Sequence, residues 1–277
     1  MITLLVPTDF SKASKKAVMY AAELAKKIKA RIVLLNVVQA NTSGETLLKW
    51  KRLEEEMVKI AREDGEQLLA EVKKKAGAKT AITFEYRLGY DFDKAVNRFV
   101  EENDVDLVVM GTHGATGLKK VLMGSNAASM INTSLVPVVA VPADAAFKPI
   151  KKIVYATDMV NLDEEIKTVT MLAALFTASV SVVHVTPATP DKKFNAEKFT
   201  KNLIKVSKYK KLTFSFVKNE NITAGVNAFV AKQKPQLLAM FTHKLSAYEK
   251  FFGKGVTRKQ AFNTTVPLLT FNKSTIK

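Results

Sequence analysis

Apolar residues arrive in short bursts along this chain, separated by polar stretches with helical spacing. The bursts are Thr3 to Pro7, Arg31 to Val38, Ile82 to Leu88, Leu107 to Met110 and Val136 to Val141. Most are apolar throughout and do not alternate, which predicts strands buried on both faces, the pattern of a parallel sheet. The intervening stretches predict helices: Ser11 to Ala30, with the Ser11 hydroxyl suited to the cap; a long one within 44–78; Phe92 to Asn103; and Ser125 to Thr133. In the long one Leu53, Met57, Ile60, Ala61, Leu68, Leu69 and Val72 recur at steps that fall on one side of a helix.

The same pattern then starts again. LLVPTD (4–9) returns as IVYATD (153–158), placing Asp158 149 residues after Asp9. RIVLLNVV (31–38) returns as SVSVVHVT (179–186), with His184 in the place of Asn36. DLVVMGTH (106–113) and LVPVVAV (135–141) return as QLLAMFTH (236–243) and TVPLLTF (265–271), now at an offset of 130. Four matches in one order indicate a tandem repeat. The second copy is about 19 residues shorter, opposite the long helix. The Pro-bounded link PADAAFKP (142–149) separates the copies, so the expected domains are 1–144 and 150–277. Each is predicted to be an α/β domain, and ligands of such sheets bind beyond the carboxyl ends of the strands, where the strand order reverses.

Composition adds limits. The 277 residues suffice for two cores. No apolar run reaches the roughly 18–20 residues of a membrane span, and the first residues read as a strand, not a signal peptide. There is no cysteine, hence no disulfide or thiolate metal site, and the expected compartment is the cytoplasm. The net charge of +17 comes almost wholly from lysines scattered over helices, with only six arginines. That describes a solvated basic surface better than a base-reading nucleic-acid interface, which relies on Arg.

Glycines gather at one place: Gly111-x2-Gly114-x9-Gly124-Ser125, between a strand and a helix. A turn of this kind presents backbone N–H groups and a helix N-terminus to an anion, and glycine permits both positive φ and close approach. Ser125 suits a cap and a phosphate contact, and Lys119 and Lys120 add charge. A plain surface loop is the competing reading. The spacing fits neither the P-loop nor the dinucleotide pattern. Asp9 is either a ligand contact or simply a cap for the first helix. No nucleophile stands near a base, and the three histidines lack metal-ligand spacing, so no catalytic or metal-binding residue is assigned.

The glycine pattern, with PTDFS (7–11) and the VPVVAVP end, resembles the universal stress protein family over essentially the whole chain. The resemblance implies two tandem Rossmann-like domains of the adenine nucleotide alpha hydrolase-like kind. Each would be a five-stranded parallel sheet with helices on both faces. It implies an ATP site, with Mg2+, built from Pro7, Thr8 and Asp9, from the adenine-facing backbone of Val37 and Val38, and from Met110, Gly111, Thr112, Gly114, Gly124, Ser125 and Asn126. Two departures stand out: Ala115 where a basic residue is common, and Asn126 where a small apolar one is frequent.

In the second copy Gly111, Gly114, Gly124 and Ser125 are answered by Phe241, Lys244, Lys254 and Gly255. The ATP site is therefore expected in the first domain only, with Phe241 projecting into or distorting the turn. The last strands, Val136–Val141 and Val266–Phe271, are expected to pair as the family's dimers do, giving an intramolecular pseudo-dimer, with a further homodimer left open. The expected function is a nucleotide-dependent stress-response or regulatory module, with at most slow ATP hydrolysis or autophosphorylation. The alternative is a nucleotide-free scaffold for a protein or nucleic-acid partner.

Overall fold

Buried apolar runs become strands and amphipathic stretches become the helices that cover them. The computed structural model describes residues 1–39, 47–77, 79–89, 91–112, 124–187, 194–242 and 266–272. The described residues up to Phe147 form one compact unit and those from Lys148 onward a second.

The first unit runs β1 (Thr3–Pro7), α1 (Lys12–Ile28), β2 (Arg31–Val38), α2 (Leu47–Ala76), β3 (Ile82–Leu88), α3 (Phe92–Glu102), β4 (Leu107–Gly111), α4 (Ser125–Thr133) and β5 (Val138–Val141). Its strands lie in the order β3-β2-β1-β4-β5, each pair parallel. The chain winds outward from β1 through β2 to β3, then returns to β4 on the other side of β1. That reversal opens a crevice at the carboxyl ends of β1 and β4. Right-handed crossovers in opposite directions send α1 and α2 to one face and α3 and α4 to the other, and the helices pack in those pairs.

Local chemistry sets the boundaries. Ser11 caps α1, its Oγ accepting the Ser14 N–H at 3.2 Å, and Lys29 ends the helix in the left-handed region. In α2 the buried stripe is Ala61, Gly65, Leu68, Val72 and Ala76, at steps of three and four residues. Gly65 lies on that stripe because a Cβ there would stand 2.2 Å from the Phe84 ring on β3. The last strand starts two residues later than its apolar run suggests. Pro137 has no N–H for a ladder and instead accepts the Val108 N–H through its carbonyl at 2.9 Å.

The second unit repeats the plan: β6 (Lys152–Ala156), α5 (Leu162–Phe176), β7 (Ser179–Thr186), α6 (Ala196–Ser207), β8 (Leu212–Lys218), α7 (Ile222–Gln233), β9 (Leu237–Thr242) and β10 (Leu268–Asn272). Its order, β8-β7-β6-β9-β10, is again parallel throughout. The missing length falls in the second helix, 12 residues in α6 against 30 in α2. The shorter α6 packs on β8 through a cluster of phenylalanines, Phe194, Phe199, Phe214 and Phe216. As in the first unit, the last strand begins after its proline, here Pro267, whose carbonyl accepts the Leu238 N–H. The two Thr-Asp turns also match. Phe10 and Met159 both take positive φ, +60° and +71°.

Candidate functional site

The Thr-Asp turn at the end of β1 is tied down from three sides. The Thr8 N–H donates to the Leu35 carbonyl, and the Thr8 carbonyl accepts from the Asn36 side chain at 2.7 Å. Thr8 Oγ1 accepts the Phe10 N–H and meets Ser14 Oγ at 3.1 Å. The Asp9 carboxylate accepts the Ser11 N–H at 3.1 Å and stays exposed. Asp9 therefore shapes the turn, while Ser11 is the helix cap.

A cavity of about 240 Å³ opens beside this turn, at the reversal of strand order. Pro7, Thr8 and Asp9 line it from β1, Val37 from β2, and Met110 and Gly111 from β4. Gly124, Ser125 and Asn126 line it from the start of α4. Gly114, together with Lys119, Lys120, Ala115 and His113, lies outside the described residues. Val38 and Thr112 stay out of the lining. The Val38 side chain is buried and its carbonyl accepts from Gly89, while the Thr112 N–H donates to the Val141 carbonyl.

Two expectations about the glycines need correction. Gly124, not Ser125, is the cap residue of α4, and Ser125 is the first helical residue. Neither Gly111 nor Gly124 uses a positive φ; Gly124 sits at φ −57°, ψ 148°, open to any residue. What remains to explain glycine at 124 is the missing side chain. Ser11, Asn195 and Asn221 cap α1, α6 and α7 with side-chain oxygens. No side chain caps α3, α4 or α5, and among the described caps only that of α4 is a glycine, with no side chain to offer. The N–H groups of the first turn, at Ser125, Asn126 and Ala127, carry the positive end of the helix dipole beside the cavity. That arrangement suits an anion.

Several lining residues gave no sequence signal as site residues: Ser14, Asn36, Gln39, Phe92 and Ala127. Asn36 had one indirect signal, its alignment with His184. Both serve the same purpose, since His184 Nδ1 donates to the Thr157 carbonyl at 2.9 Å as Asn36 does to Thr8. A carbonyl only accepts, so Nδ1 carries the proton. Among the described residues no three His, Cys, Asp or Glu side chains group to hold a metal ion.

The profile of the universal stress protein family matches residues 1–142, more than half of the chain. The chain belongs to that family. It is similar to a universal stress protein of Methanocaldococcus jannaschii, 34% identical over 143 residues that span 50% of this chain and 80% of the relative. It also resembles one of Aquifex aeolicus, 31% identical over 134 residues, 47% of this chain and 98% of the relative. A solved universal stress protein of Archaeoglobus fulgidus shares the fold along both units, with a TM-score of 0.74, 18% identity and 98% coverage of each chain. No helix among the described residues is long and apolar enough to cross a membrane.

Within this universal stress protein the second unit keeps the turn and fills the strand end. Asp158 accepts the Val160 N–H and Thr157 Oγ1 the Met159 N–H, as in the first unit. At the place of Gly111, Phe241 does not distort the chain. It continues β9, only 7% exposed, stacking on Phe271 at 4.7 Å and meeting Tyr155 edge-on at 5.6 Å. The Tyr155 hydroxyl donates to the buried Glu165 carboxylate. Burial, and then the Glu165 charge, raise the Tyr155 phenol well above its ordinary range. The counterparts of Gly114, Gly124 and Ser125 lie outside the described residues.

Proposed function

We propose that the first unit binds ATP or a related adenine nucleotide in the β1–β4 cavity, and that the chain is a nucleotide-dependent regulatory module of the stress response. The domains are 1–144 and 150–277, the protein works in the cytoplasm, and turnover is absent or slow. The single observation that carries the reading is the uncapped start of α4, glycine at a position whose dihedrals accept any residue, beside a cavity also lined by Asp9. Phosphate oxygens would take the N–H groups of Ser125, Asn126 and Ala127, with Gly111 and Gly114 leaving room for them. The Asp9 carboxylate would accept from a ribose hydroxyl, and Val37 at the end of β2 would meet the base. Without a carboxylate cluster in the described residues, Mg2+ would be held chiefly by the phosphates. The last strands, Val136–Val141 and Val266–Phe271, would pair to cover their edges, leaving a further homodimer as an added assembly.

The second unit has a phenylalanine at the strand end and lysines at two glycine positions, so it would take no nucleotide. Calorimetric titration of the full chain with MgATP tests this. One site per chain, removed by Gly114→Lys, is expected. No binding would favour the nucleotide-free scaffold, and two equal sites would refute the assignment to one unit.

A further inference from the structure

The cavity has an end that the glycines do not explain. Phe92, the first residue of α3, lines it, half-buried, together with Val37 and Gln39 at the end of β2. The turn leading into α3 lies over that strand end: Gly89 donates its N–H to the Val38 carbonyl at 3.1 Å and stands against Val37 and Ala95. The Phe92 ring is the one aromatic side chain in the described lining. It stands on a different helix from the N–H groups of α4. One part of the cavity is thus suited to an anion, and another is lined by an aromatic residue together with apolar Val37 and Gln39.

We infer that Phe92 is a specificity-determining residue of this site, stacking on the base and favouring a purine over a pyrimidine. The inference rests on the nucleotide reading above and adds to it the residue that selects the base. A flat aromatic wall gains in proportion to the ring area laid against it, so the two-ring base gains more than the one-ring base. The second copy supplies a contrast. At the aligned position it has Ile222, 47% exposed, with no aromatic face to offer.

The test is calorimetric titration of the full chain, unaltered and as Phe92→Ala and Phe92→Leu, with MgATP and MgCTP. Phe92→Leu keeps an apolar side chain of similar reach, so it separates loss of the π-face from loss of packing. The unaltered chain is expected to bind MgATP more tightly than MgCTP. Both variants should weaken MgATP roughly tenfold, the scale of one base–aromatic stack, and should narrow the gap between the nucleotides. Equal affinity for the two nucleotides in the unaltered chain, or a variant that keeps the full purine preference, would overturn the inference while leaving the nucleotide site standing. Absence of MgATP binding by the unaltered chain would overturn both.

Discussion

Gly124→Ser asks whether the glycine at the start of α4 serves the fold or a ligand. At φ −57°, ψ 148° the backbone there nearly coincides with that of Ser11, at φ −63°, ψ 160°, which caps α1 through its Oγ. A serine at 124 enters unstrained and places its Oγ where it can accept the Ala127 N–H. Two gains follow for the fold. Removing a glycine from the unfolded chain contributes about 0.4–1 kcal/mol where the dihedrals are compatible. Replacing a glycine cap by serine adds a few tenths of a kcal/mol. In a domain of this size the sum corresponds to a rise in Tm of about 2–4 °C. The ligand loses what the helix gains, because a charge-assisted hydrogen bond of roughly 1.5–3 kcal/mol is no longer open to a phosphate oxygen. MgATP affinity should fall at least about tenfold. Thermal unfolding of the nucleotide-free chain and calorimetry with MgATP, on one preparation, read both quantities. A less stable Gly124→Ser chain would show that the glycine serves the fold. Unchanged affinity would show that the α4 N–H groups do not meet phosphate.

Asp9→Asn keeps an acceptor for the Ser11 N–H, so stability should change by under about 0.5 kcal/mol while MgATP affinity drops several-fold; equal affinity would remove Asp9 from the site. Gly65→Ala should destabilise the first unit by about 1–3 kcal/mol in urea unfolding despite better helix propensity, because the new Cβ would stand 2.2 Å from the Phe84 ring. A more stable variant would mean that the ring moves aside freely. Tyr20 and Tyr155 both have phenols raised by burial. The folded chain therefore holds their protons longer than the unfolded chain does. Their contribution is complete below about pH 10 and is lost as pH rises beyond it, at about 1.4 kcal/mol per pH unit per tyrosine. Tyr20→Phe should flatten the alkaline fall in stability, and an unchanged slope would refute the linkage.

Much of the fold was legible because the central strands are nearly uninterrupted apolar runs. Thr3 to Pro7 and Arg31 to Val38 are strands over those residues, as is the edge strand Ile82 to Leu88, where only Ile82 is buried. The runs misled only at Val136-Pro137 and Val266-Pro267, where proline withholds an N–H and delays the strand. At the site, glycine spacing and the Thr-Asp turn pointed to one place, since both are local patterns. Val38 and Thr112 were drawn in by adjacency, although their backbone groups are occupied in neighbouring pairings. Phe92 gave no signal because it stands four residues before Val96 and so continues the core stripe of α3 that includes Phe99 and Val100. A residue at the first turn of a helix can follow the core period and still look into a cavity. Ser14 and Asn36 read as ordinary polar positions until the fold brought them to Thr8.

The Thr-Asp turn repeats its local hydrogen bonds at Thr8-Asp9 and Thr157-Asp158, from Thr hydroxyl and Asp carboxylate to the N–H two residues on, down to the left-handed residue that follows. Its bonds run to neighbouring strands and to its own helix, so it would survive in a copy that has abandoned its ligand. An aspartate at the tip of the first strand is then a poor witness to chemistry. That residue does not tell the two halves of this chain apart. The tip of the fourth strand does tell the two halves apart: Gly111 ends β4, whereas Phe241 fills the matching place in β9.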